Sequence, residues 1–104
     1  MNDSILMPLK KYRVMVEGAN FLITFDNEAT KHGFFTTRFV EADGPEAAET
    51  IAMDMLRLEL ADLVENDMTD SPVMFLEDIE EVDSFIDSPV PGAGFAWFPD
   101  EKGH

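Results

Sequence analysis

The chain contains no cysteine among its 104 residues. That absence removes disulfide frameworks, thiolate nucleophiles and Cys-ligated zinc sites together. Basic residues are scarce: seven lysines and arginines stand against 22 aspartates and glutamates, for a net charge of −15. Such a field repels phosphate backbones, so nucleic acid is not an expected partner, whereas a basic protein is. Long apolar runs are missing as well. No stretch approaches the ~18 uninterrupted apolar residues of a membrane helix. The opening MNDSILMPLKKYRVMV sets Asp3 where an export signal wants positive charge, and Pro8, Lys10 and Lys11 interrupt its apolar run. A cytoplasmic protein with no membrane partner is the expectation. Histidine occurs only as His32 and His104, and neither has a nucleophile at a recognisable motif spacing.

What is present describes one folded domain spanning residues 1–104, with 1–9 as a flexible N-terminal segment and 88–104 as a C-terminal aromatic extension. An apolar content of 45% is ordinary for a globular chain. A chain of this length hides roughly 60–70% of its unfolded surface, enough for one core without a staple. Charge is unevenly spread. Residues 1–31 balance four acids against four bases, so the segment 32–104 carries the whole net charge. The general reading of so many acids is solubility.

Strand periodicity opens the chain. In KKYRVMVEG, Tyr12, Val14 and Val16 alternate with Arg13, Met15 and Glu17. In NFLITFDNE, Phe21, Ile23 and Phe25 share one face. Gly18-Ala19-Asn20 between the two runs has turn chemistry, which predicts an antiparallel hairpin there. A loop over 26–33 then leads through Gly33 into GFFTTRFVEA, whose aromatic and β-branched density predicts a third strand. Phe35, Thr37 and Phe39 point to one side of it, and Phe34, Thr36, Arg38 and Val40 to the other.

A helix follows with a sharp start. Asp43 or Gly44 can cap it, Pro45 suits the first position, and Glu46 and Glu49 favour the positive end of its dipole. Ala48, Ile51, Ala52, Met55, Leu56, Leu60 and Leu63 form its apolar face. The polar cluster from Asn66-Asp67 to Asp70-Ser71-Pro72 ends it. VMFLEDIEEV predicts a strand through about residue 82, with a short helix after Asp78 as the alternative, and the alternation at Phe95 and Trp97 a short terminal strand or aromatic strap. The fold class is therefore α+β, an antiparallel sheet in β-β-β-α-β order with one helix covering one face. Apolar residues on both faces then demand a second cover: the C-terminal aromatics, the N-terminal ILMPL segment, or another copy of the protein.

The acids Glu77, Asp78, Glu80, Glu81, Asp83 and Asp87 lack the alternation, central Gly and closing Glu of a calcium loop, so they read as a solvated face. PGAG is not followed by a helix, which excludes a phosphate loop. No metal or cofactor is expected. His32 reads as a loop residue, and an enzyme built on it or on Glu80 and Glu81 is not expected. Arg38 either pairs with carboxylates of the adjacent strand or stacks on Trp97, or else lines a ligand groove with Thr36 and Phe34. The candidate interaction surface is therefore Phe34, Thr36, Arg38, Phe95 and Trp97, together with the acids Glu77, Glu80 and Glu81.

Residues 11–60, with strands, a Gly-led strand and a helix opening at GPEAAETIA, resemble the small domain of HicB-type antitoxins in element order. That resemblance implies binding of a small basic toxin protein. No counterpart of the DNA-binding segment of those antitoxins was found. GFFTTRFVEADGPEAAE combined with PVPGAGFAWFPDE also resembles a group of short bacterial proteins, a likeness that implies no activity. The expected role is an acidic protein-interaction module forming a homodimer, with inhibition of a basic protein as the alternative.

Overall fold

The computed structural model describes residues 9–86, 88, 90, 92 and 94–99. Two long strands dominate: β1 (Lys10–Phe25) and β2 (Glu28–Ala42). Helix α1 (Pro45–Leu60), β3 (Val73–Val82) and β4 (Ala96–Pro99) follow. All neighbouring strands are antiparallel, in the order β3-β1-β2-β4. The α+β class with one helix on one face is as the sequence predicts. The segment 1–9 and the tail beyond Pro99 lie almost wholly outside the described residues.

The element order is β-β-α-β-β, because the two strands expected before Gly33 are one. The hairpin turn is Asp26-Asn27, whose φ angles of 53° and 66° suit a tight two-residue connection matching strand twist. Asp and Asn accept this left-handed backbone more readily than most residues. No eight-residue loop precedes Gly33, and His32 is a strand residue. At Gly18-Ala19-Asn20 the chain does not turn but bulges, with Asn20 at φ 66° and a register shift between Gly18 and Phe21. One extra residue flips the alternation. Phe21 and Ile23 thereby continue the buried row begun by Tyr12, Val14 and Val16.

Two glycines allow close cross-strand packing on opposite faces. Gly18 faces Phe34, and a Cβ there would stand 2.1 Å from the Phe34 ring. Gly33 faces Phe98, whose ring would lie 2.5 Å from its Cβ. In each case the aromatic ring lies across the glycine of the next strand.

Helix α1 begins at Pro45 with Gly44 as an extended cap and no side-chain capping bond. It buries Ala48, Ala52, Met53, Leu56 and Leu60 against the sheet. Two residues of the expected apolar face are exposed instead: Ile51 at 38% and Leu63 at 46%. Leu63 lies beyond the helix end, which comes at Leu60 rather than near Asn66. The reason is competition for backbone bonds. Glu65 N–H donates to Leu22 O at 2.8 Å, and Asn66 Oδ1 accepts from Leu22 N–H at 2.8 Å. Asn66 Nδ2 also donates to Asn20 O and Asp70 O. This loop thus satisfies the edge of β1 where its ladder with β3 stops at Ala19. Each fully buried side chain such as Leu56, Val14 or Phe34 contributes about 1.5–3 kcal/mol to the two-layer core.

Candidate interaction surface

Period-2 alternation sends neighbouring residues of β2 to opposite faces, and the helix covers only one of them. Phe34, Thr36, Arg38 and Val40 lie beneath it and are buried. Phe35 is 45% exposed on the other side, and Phe39 and Thr37 are half-buried there.

The centre of the covered face is Arg38, whose side chain is 0% exposed. Its Nε donates to Glu59 of α1 at 3.1 Å and its Nη2 to the second oxygen at 2.5 Å, a two-pronged carboxylate contact. Nη1 donates to Thr36 Oγ1 at 2.6 Å and Thr37 O at 2.8 Å. Thr36 Oγ1 passes the chain on by donating to Gly94 O at 2.6 Å. The guanidinium also lies 5.1 Å from the Phe95 ring. One cation therefore ties together β2, α1 and the segment leading into β4. Its partner is neither a carboxylate of the adjacent strand nor Trp97, but Glu59 and Phe95. A buried arginine requires an acid, yet α1 carries several, and only docking of the helix selects Glu59.

Phe34 anchors an aromatic cluster beside this knot. Phe21, Phe95 and Trp97 ring it at centroid distances of 5.1, 5.0 and 5.3 Å. Trp97 extends the cluster to Phe25 and His32 at 6.0 and 6.2 Å. His32 Nδ1 lies 3.0 Å from Thr30 O. Of the eight residues singled out from the sequence, the structure brings five together: Phe34, Thr36, Arg38, Phe95 and Trp97. They converge on the helix-covered side of the sheet, where Phe34, Thr36 and Arg38 are buried and Phe95 and Trp97 half-buried against the core. The other three, Glu77, Glu80 and Glu81, stand exposed on the edge strand β3. Glu80 pairs with Arg13 at 2.7 Å, and Glu77 falls at the irregularity of the β1–β3 register.

The uncovered face holds the accessible features. Cross-strand register places Phe75, Glu17 and Phe35 in one row, and Glu80, Arg13 and Phe39 in another. Phe75 is 51% exposed. Phe98 flanks Phe35 at 5.4 Å, and Phe85 leans on Phe39 at 5.8 Å. Between these partial covers runs an open groove of about 620 Å³ lined by Arg13, Met15, Phe35, Thr37, Phe39, Gly92, Gly94, Phe95 and Ala96. A second hollow of about 330 Å³ sits at the end of α1 among Phe21, Leu60, Val64, Pro72 and Met74, with Arg57 at its rim. The alternation in GFFTTRFVEA groups Phe35 with Phe39 at the sequence level. Glu17 and Phe75 join them only through strand register, which is why they escaped notice.

Away from both faces, the bulge clamp perturbs two carboxyls. Asp70 is held below the usual aspartate range by a hydrogen bond from Lys31 and a second from Asn20. Asp67 is lowered by hydrogen bonds from the Thr69 hydroxyl and backbone N–H. Among the described residues no three or more His, Asp and Glu converge as a metal-binding group, and no helix is long and apolar enough to cross a membrane. No protein-family model, curated protein or solved structure matches the chain.

Proposed function

We propose that this protein is a cytoplasmic protein-interaction module that self-associates through the sheet face opposite its helix. The observation that carries the reading is the row Phe75–Glu17–Phe35, in which two phenylalanines stand about half-exposed, at 51% and 45%, on a face with no second layer among the described residues. Exposed apolar patches of this kind mark contact surfaces. With a net charge of −15 per chain, association must rest on apolar contact strong enough to oppose like-charge repulsion. The test is solution mass by light scattering at low and high salt. A particle of about twice 11.7 kDa that persists or strengthens at high salt supports self-association. A monomer at every salt and protein concentration overturns it.

The alternative reading, an inhibitor of a basic protein, draws on the exposed acids Glu77, Glu80 and Glu81 along the edge of β3. Its signature is opposite: partner capture that weakens as salt is added.

A further inference from the structure

On the open face two charged groups are incompletely used within the chain. Glu17 is half-buried between Phe35 and Phe75 and has no ion pair or side-chain hydrogen bond among the described residues. Arg13 pairs through Nη2 with Glu80 and Asp78, at 2.7 and 3.6 Å, while its buried Nε has no acceptor among the described residues. Both side chains rise from the same strand on the same face, and Met15 lies midway between them. At the rise of an extended strand each stands about 6.6 Å from it along the chain. The neighbouring strand repeats the spacing, since Met15 faces Thr37, with Phe35 and Phe39 at equal offsets on either side.

This arrangement is self-complementary under one symmetry operation. A two-fold axis lying between two stacked sheets and crossing their strands at Met15 and Thr37 reverses strand direction. It sets Glu17 over the second copy's Arg13, and Phe35 over the second copy's Phe39. An axis running along the strands would instead set Glu17 on Glu17 and Arg13 on Arg13, which like-charge repulsion disfavours. Resting on the self-association reading above, we infer that the occupant of the open face is a second copy in the first orientation. Two reciprocal Arg13–Glu17 contacts fix its register, as an isologous interface requires. Asp78, which meets its own copy at the level of the axis, stands on the edge strand open to water and keeps its own Arg13 contact. The groove along Met15, Phe35 and Phe39 becomes the apolar centre of the pair, and sheets stacked this way pack about 10 Å apart.

Charge exchange in the full-length chain tests the assignment. Glu17→Arg alone places four cations in the contact, and Arg13→Glu alone places four acids there. Each single variant is expected to raise the dimer dissociation constant at least about tenfold. An equimolar mixture of the two restores opposite charges at both contacts, and the Glu17→Arg/Arg13→Glu double variant does so within one chain. Both should return to within a few-fold of wild type by sedimentation or light scattering, with far-UV circular dichroism showing that every variant is folded. If wild type is dimeric but neither mixture nor double variant recovers, the proposed orientation is wrong while self-association stands. If wild type is monomeric, both fail. If monomeric wild type instead captures a lysine-rich peptide and Glu17→Arg loses it, the second copy gives way to a basic partner.

Discussion

Phe34 and Phe35 are adjacent in sequence and opposite in fate, and so are the two arginines at the middle of the sheet. Phe34 is fully buried beneath the helix, whereas Phe35 is 45% exposed. Arg38 is 0% exposed and held by Glu59, Thr36 and Thr37 through four hydrogen bonds, while Arg13 is 37% exposed, with one close ion pair and an Nε unmatched among the described residues. The two faces carry similar residue types, so composition does not separate a core from a contact surface. What separates them is cover: a second layer turns the same alternation into fixed packing and a matched charge. The face with no such layer among the described residues leaves Phe35 and Phe75 about half-exposed.

Substituting the two phenylalanines should break the comparison most visibly. Phe34→Ala empties the centre of the aromatic cluster and should cost about 3–5 kcal/mol of folding stability. Phe35→Ala should stay within about 0.5 kcal/mol for the monomer, as surface changes do, while weakening self-association. Denaturant titration at low protein concentration, paired with mass measurement at high concentration, separates the two effects. Equal stability losses would remove the distinction between the faces.

The arginines give the next effect in size. Arg38→Met strips the partner from Glu59 and unlinks β2, α1 and the chain at Gly94. Its expected cost is about 3 kcal/mol, the low end for breaking a buried pair, because Glu59 is 38% exposed and can rehydrate. Arg13→Met removes a pair that water already screens and should cost less than about 1 kcal/mol. Urea midpoints of the two variants measure the contrast directly.

The smallest effect lies in the clamp over the bulge and appears with acid. Asp70 has its folded-state pKa lowered, chiefly by Lys31, so its contribution is present above the ordinary value of 3.8 and is lost as pH falls through the depressed one. The expected result is that wild type is slightly more stable than Asp70→Asn at pH 6, and that the gap closes only below about pH 4. A gap unchanged down to pH 2 would mean that the carboxylate charge contributes nothing there.

Much of this fold was legible from local pattern. Pro45 behind Gly44 marked the start of α1, and alternation in GFFTTRFVEA assigned Phe34, Thr36 and Arg38 to one face and Phe35 and Phe39 to the other. The turn was misplaced because Gly18-Ala19-Asn20 and Asp26-Asn27 both carry turn chemistry. Local preference cannot rank them when a bulge keeps both halves of β1 buried on one side. The helix end was misplaced because Glu65 and Asn66 bond to Leu22 and Asn20 across the molecule, an attraction invisible to helical periodicity. The five aromatic and polar residues taken for a surface were correctly grouped on one side of the sheet and its strap. The burial of Phe34, Thr36 and Arg38 among them depended on which side the helix chose.

By itself, then, the sequence determined the strand and helix periods, the excess of negative charge and the pairing of side chains into two faces, because each follows from local spacing and composition. Only the tertiary structure decided which face the helix covers, that Glu59 answers Arg38, and that Glu17 is left between two half-exposed phenylalanines. Those outcomes depend on register and docking between residues far apart in the chain, where many partners are chemically equivalent and geometry alone chooses among them.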